Sequence, residues 1–135
     1  MPAHYMLDTN ICIYIRQKRP AEILRRFSSL HRGEAVISVI TFGELRYGAE
    51  KSRERAHALE ILDEFVMLIP AQTMPPGAAA TYGSIRASLE SRGEVIGNND
   101  LWIAAHTRTA ELTLVTNNER EFRRVPGLAV ENWSR

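Results

Sequence analysis

Apolar residues recur along the chain in two alternating patterns, short continuous runs and longer stretches with helical spacing. His4–Asp8 reads as a short apolar strand ending in an acid, and Ile11–Gln17 continues as a helix. Pro20 opens a second helix, as proline does at a first turn; Leu24, Phe27 and Leu30 give it an apolar stripe and Gly33 ends it. Ala35–Ile40 is rich in β-branched residues and nearly continuous, the pattern of a strand covered on both faces. Thr41-Phe42-Gly43-Glu44 then has the Thr-x-x-Glu form of a capping box, which announces a helix. Beyond a break near Ser52, Leu59, Leu62, Phe65 and Val66 mark an amphipathic helix that leads into a strand at Met67–Pro70. The Pro75-Pro76-Gly77 turn separates it from a small-residue helix through Ser91. Arg92-Gly93 starts a loop, Asn98 or Asn99 caps a helix over Asp100–Glu111, and Leu112–Thr116 forms a strand. A short helix at Asn118–Arg124 and a strand at Leu128–Val130 complete the series.

Strands that alternate with helices predict an α/β fold with a mainly parallel central sheet and helices on both of its faces. In such sheets the functional residues gather outside the carboxyl ends of the strands. A chain of 135 residues suits one hydrophobic core, so residues 1–135 are expected to form a single domain. Apolar residues make up 44% and charged residues 24%, enough apolar material to offset the chain's conformational entropy.

One cysteine, Cys12, excludes a disulfide framework within the chain and sits in an apolar run that favours a packing role. Met-Pro-Ala-His-Tyr lacks the basic and apolar regions of a leader, and no apolar run is long enough to span a bilayer. The expected setting is the cytoplasm, without membrane contact. Net charge is +1, but 15 of the 17 basic residues are Arg, a type suited to bidentate contact with phosphate or carboxylate. Sequestering several carboxylates at a cation would leave the remaining surface positive enough to hold a polyanion.

Four acids stand out from this background. Asp8 follows apolar Tyr5, Met6 and Leu7 at the turn from strand to helix; it can cap that helix, but Asn10 could make the same cap and leave the acid for other work. Glu44 divides equally between capping-box partner and ligand, and lies after the second strand on the same sheet edge as Asp8. Asp100 opens a helix whose Trp102, Ile103, Ala104 and Ala105 look like core, which holds its carboxylate against an apolar wall. After the strand ending at Val115, either Glu119 or Glu121 can face the sheet edge, and their spacing puts them on roughly opposite sides of a short helix. Carboxylates crowded on one rim repel one another unless a cation lies between them, and oxygen-only ligands select a hard ion, Mg²⁺ or Mn²⁺. The chain has no Cys/His cluster to compete as a metal site.

The segments Met6-Leu7-Asp8-Thr9-Asn10, Ile37–Leu45, the Asp100 helix and Val115-Thr116-Asn117-Asn118 with Arg120-Glu121-Phe122 resemble the PIN-domain nucleases. More narrowly they resemble the VapC toxins of VapBC toxin–antitoxin pairs, from about residue 4 to Trp133. The resemblance puts the family's acidic positions on Asp8, Glu44, Asp100 and Glu121, the hydroxyl that supports the first aspartate on Thr116, and a polar position beside the metal on Asn10. Glu111 stands where relatives often have Gly. The resemblance further implies a three-layer α/β/α sandwich with a five-stranded parallel sheet, a homodimer, and a VapB antitoxin whose tail covers the cleft while its other end binds operator DNA. The implied activity is Mg²⁺-dependent hydrolysis of RNA phosphodiesters, with the anticodon stem-loop of initiator tRNA as the substrate of the closer branches.

On this reading Asp8 and Asp100 contact the cation, Glu44 and Glu121 complete its shell directly or through water, and Thr116 and Asn10 orient Asp8. Arg46, Arg86 or Arg120 could hold flanking phosphates. His4, His31, His57 and His106 are read as structural or surface residues rather than as a metal-free ribonuclease site. A phosphoacceptor domain would need a late lysine, absent after Lys51, and a dehalogenase-type phosphatase would need an aspartate where Asn10 stands. The remaining alternative is a catalytically inactive PIN-like module that only binds RNA or protein.

Overall fold

A computed structural model describes residues 2–134, leaving Met1 and Arg135 outside the described residues. The chain runs through β1 (Tyr5–Leu7), α1 (Thr9–Gln17), α2 (Ala21–Ser28), β2 (Ala35–Ser38), α3 (Val39–Glu50) and α4 (Arg55–Leu68). It continues through β3 (Ala71–Gln72), α5 (Ala78–Ser91), α6 (Asn98–Thr109), β4 (Thr113–Val115), α7 (Glu119–Phe122) and β5 (Ala129–Glu131). The five strands form one sheet in the order β3-β2-β1-β4-β5, and every pairing is parallel.

The paired apolar residues of the strands explain the three layers. Met6, Val36 and Leu114 point to one face, where they pack with Ile85, Leu89, Ile103 and Phe122 of the later helices. Their neighbours Leu7, Ile37 and Val115 point to the other, against Ile11, Ile23, Leu45, Leu62 and Trp133. Successive strand residues alternate between faces, so a continuous apolar run feeds two cores at once. Each fully buried aliphatic side chain contributes about 1.5–3 kcal/mol relative to exposure. Ile11 and Cys12 are buried, while Ile13, Tyr14 and Ile15 pack partly against the second core. No helix among the described residues is long and apolar enough to cross a membrane.

Several boundaries differ from the sequence expectation, each for a local reason. Helix α2 starts at Ala21, just after Pro20, and ends at Ser28; Gly33, with a φ of 91°, belongs to the turn before β2. Strand β2 stops at Ser38 because that side chain caps α3, its Oγ accepting from the Ile40 and Thr41 N–H groups at 2.8 and 3.4 Å. Thr41 is therefore a buried residue inside the helix, and the expected Thr41–Glu44 capping box does not form. Of the strand expected at Met67–Pro70, Met67 and Leu68 are the end of α4 and Ile69 is its cap residue, and β3 follows as a two-residue strand. Helix α6 begins at Asn98 with Gly97 as its cap residue, so neither Asn98 nor Asn99 caps it. It ends at Thr109, and Glu111 turns the chain with a φ of 58°, the left-handed conformation that glycine adopts without strain. His106 is fully buried in α6 with neither ring nitrogen hydrogen-bonded, and burial holds its proton affinity below the ordinary value.

The order of strands positions the site. From β1 the chain moves outward through β2 to β3, then returns to the other side of β1 to lay down β4 and β5. The carboxyl ends of β1 and β4 thus flank the point where the direction of winding reverses, the usual place for a ligand crevice.

Candidate active site

Asp8 follows β1 directly and is anchored on every side. Its N–H donates to the Val115 carbonyl at 2.9 Å, which continues the β1–β4 ladder by one residue. Its Oδ1 accepts from the Thr9 N–H and its Oδ2 from the Thr116 hydroxyl, both at 2.8 Å. The Thr116 oxygen in turn accepts from the Asn118 N–H at 2.9 Å, so the single hydroxyl proton is committed to Asp8. The aspartate caps α1 through Oδ1, while Oδ2 takes the Thr116 hydroxyl, so the cap engages one oxygen of the carboxylate. Thr116 makes the hydrogen bond to Asp8 that an orienting residue needs. Asn10 is an exposed residue inside α1, and among the described residues the donors to the Asp8 carboxylate are Thr9 and Thr116.

Glu44 lies in the second turn of α3 rather than at its start, one consequence of the earlier cap at Ser38. Its Oε1 accepts from the Thr9 hydroxyl at 2.6 Å, and Asn99 Nδ2 approaches Oε2 at 3.5 Å. Asp100 is in the first turn of α6 and is half-buried. It reaches the rim by a different route from the other acids. Helix α6 follows α5 through a loop and runs back toward the start of β4, so its amino end, not a strand-to-helix junction, meets the carboxyl ends of the strands. On α7, Glu121 exerts its charge on both Asp8 and Asp100. Glu119 accepts from Arg123 at 2.8 Å and from Asn132 at 3.0 Å.

The electrostatics record the convergence. Burial raises the proton affinity of Asp8; the Thr116 and Thr9 hydrogen bonds oppose this, and the charges of Glu44 and Glu121 add to it. Asp100 is pushed up to about 6 by burial and then by Asp8, Glu44 and Glu121. Four carboxylates from four parts of the chain thus act on one another. Among the described residues no three acids, histidines or cysteines are gathered into a ready-made ligand cluster; the acids act on one another through their charges. An all-oxygen set with this electrostatic burden fits a hard divalent cation, which would relieve the repulsion.

The raised affinity of Asp100 has a definite sign for stability. A carboxyl that binds its proton more tightly folded than unfolded opposes folding above pH 6, and the opposition fades as pH falls toward the ordinary value of 3.8. Asp100→Asn is therefore expected to melt above the parent in EDTA at pH 7.5, with the gap narrowing toward pH 4.5. Thermal melts at the two values check this, and a variant no more stable at the higher pH contradicts it.

The arginines considered for phosphate contact are mostly engaged. Arg46 pairs with Glu50 at 2.9 Å, and Arg86 pairs with Glu90 at 3.1 Å and donates to the Tyr82 hydroxyl at 2.9 Å. Arg120 is exposed. The sequence reading missed Thr9, Asn99 and Ser38. Ser38 could have been found as a capping residue at a strand end. The Thr9 and Asn99 contacts join residues 35 and 55 positions apart, which no local pattern reveals.

A parallel sheet wound in this order, with acids converging at its reversal point, defines a class of nuclease-like α/β domain. The chain belongs to the PIN domain family, whose model matches residues 5–128, and within that family to the VapC ribonucleases. It is 46% identical to Ribonuclease VapC2 of Haemophilus influenzae over 129 residues, covering 96% of this chain and 97% of that one. It is 45% identical to the tRNA(fMet)-specific endonuclease VapC of Shigella flexneri, over 96% of this chain and 98% of the relative. Among solved structures it matches VapBC2 of Rickettsia felis bound to a DNA fragment from the promoter, with a TM-score of 0.88 and 40% identity, over 96% of this chain and 98% of that one.

Proposed function

We propose that this protein is a toxin of a toxin–antitoxin pair, an endoribonuclease that uses Mg²⁺ or Mn²⁺ to hydrolyse RNA phosphodiesters. The observation that carries the proposal is the convergence of Asp8, Glu44, Asp100 and Glu121 on one sheet edge, each within the electric field of others. Asp8 and Asp100 would hold the cation, and Glu44 and Glu121 would complete its surroundings. When bound, such an ion makes water acidic enough to attack at neutral pH and stabilises charge on the phosphate oxygens. Thr116 and Thr9 favour the ionised form of Asp8 against the effect of burial and hold it in one orientation by donating to its two oxygens.

The initiator tRNA anticodon stem-loop is the favoured substrate, supported by the name of the Shigella relative and by the general rule that specific readers of RNA target unpaired loops. The alternative of an inactive binding module is disfavoured because all four acids are present. Purified protein incubated with total tRNA is expected to cut it with Mg²⁺ or Mn²⁺ and to leave it whole in EDTA. Cleavage that persists in EDTA would reject the metal role and return attention to histidine chemistry. Intact tRNA with other RNAs cut would reject the substrate alone.

A VapB-type antitoxin is the proposed partner, supported by the complex in the Rickettsia structure, and contact with operator DNA would come only through it. A homodimer is proposed on the family resemblance and on Val39 and Tyr47, 47% and 65% exposed on α3 beside Glu44. Light scattering that returns the mass of one protomer for the purified chain would remove the dimer.

A further inference from the structure

The backbone and the side chain of Thr9 serve different acids. The residue holds two carboxylates at once: its N–H donates to Asp8 Oδ1 at 2.8 Å and its hydroxyl to Glu44 Oε1 at 2.6 Å. A hydroxyl has one proton to give. The alternative acceptor, Thr41 Oγ1, lies at 3.4 Å, so the short contact to a charged oxygen takes it. Few other restraints act on Glu44. The neighbouring Gly43 and Gly48 leave open space along α3, and the amide of Asn99 reaches Oε2 only at 3.5 Å.

Thr9 is itself well fixed. It is the first residue of α1, its backbone is tied to the capping aspartate, and its β-branched side chain has few rotamers. One rigid residue therefore sets where the Glu44 carboxylate stands relative to Asp8, and links α1 to α3 across the mouth of the cleft.

We propose that Thr9 is a positioning residue, whose hydroxyl holds Glu44 in register with Asp8 so that the two carboxylates can share a divalent cation; this rests on the metal-dependent reading above. A carboxylate oxygen has two lone pairs, so the oxygens of Asp8 and Glu44 that accept these hydrogen bonds can still face a cation or its water. Glu44 without this donor still carries its charge, but spends it over many rotamers.

The test is a set of Mn²⁺ titrations on the purified full chain, reading free Mn²⁺ by its paramagnetic resonance signal, for the parent, Thr9→Val, Thr9→Ser, Glu44→Gln and the Thr9→Val/Glu44→Gln double variant. Thermal melts in EDTA accompany each variant. Thr9→Val keeps the shape and the backbone N–H and removes only the hydroxyl; it is expected to weaken Mn²⁺ binding about tenfold or more, the usual effect of losing an orienting partner. Thr9→Ser is expected to restore the parent affinity. In the Glu44→Gln background Thr9→Val should cause no further loss, because the group it positions has already been disabled. A merely structural threonine would lower the melting point in EDTA and leave affinity unchanged.

Parent protein that binds Mn²⁺ while Thr9→Val binds it equally overturns this proposal and spares the metal reading. Losses that add fully in the double variant overturn it as well. Parent protein that binds neither Mn²⁺ nor Mg²⁺ overturns the metal reading and this proposal with it.

Discussion

Asp8→Asn is expected to reduce RNA cleavage by about 10²- to 10³-fold or more, the scale on which removing one preorganised electrostatic group at a reacting centre is felt. The substitution keeps shape and burial and removes the charge that the site is organised around. It also disturbs the proton bookkeeping: Thr116 must give its proton to Asp8 because its oxygen already accepts from Asn118, and an amide can offer an acceptor to only one of the two donors that flank it. The fold should survive, since the lost hydrogen bond is offset by relief from burying a charge beside two other acids. Initial rates with Mn²⁺ and circular dichroism of the same preparation check both halves. Full activity would refute the assignment, and an unfolded variant would show that Asp8 serves stability first. In a bacterium, growth arrest on induction of the parent should disappear with the variant.

Trp133→Ala is expected to cost about 3–5 kcal/mol, the range for deleting a buried aromatic side chain. The indole is fully buried, meets Tyr5 edge-on at 5.2 Å, lies under Arg26 at 5.3 Å, and donates to Glu131 Oε1 at 3.1 Å. Arg26 also pairs with Glu131 at 3.0 Å, so the same cluster ties α2, β1 and the end of β5 together. The ion pair is exposed and worth little by itself; the indole carries the loss. For a domain of this size the melting point should fall by on the order of 10 °C or more. Trp133→Phe, which refills part of the space, should lose much less. A melting point unchanged by the alanine substitution would mean that the end of the chain contributes nothing to the core.

The alternation of strands and helices was legible because both cores draw on continuous apolar runs, as at Val36-Ile37 and Leu114-Val115. Boundaries were less so where two residues could do one job. Ser38 and Thr41 are both able to cap a helix, and only the depth to which Thr41 is buried shows which one does. The apolar end of α4 resembled a strand because Met67 and Leu68 are exposed there without a polar face to mark the helix. Acids were identifiable one by one, by their positions beside apolar segments. What brings them together is the placement of β1 between β2 and β4, and that belongs to the winding of the sheet rather than to any window of sequence. Between Glu119 and Glu121 the sequence offers no preference, because what differs is their surroundings in the fold: Arg123 and Asn132 bond Glu119, while the charge of Glu121 reaches Asp8 and Asp100.

The central position of β1 has a consequence for how the chain comes into being. Leu7 pairs with Val115, and Asp8 is held by Thr116, so the first acid to leave the ribosome waits for partners made more than a hundred residues later. The rim of acids therefore cannot be assembled from the first half of the sequence alone: a chain cut before β4 is expected to leave Asp8 without the Val115 carbonyl and the Thr116 hydroxyl that hold it.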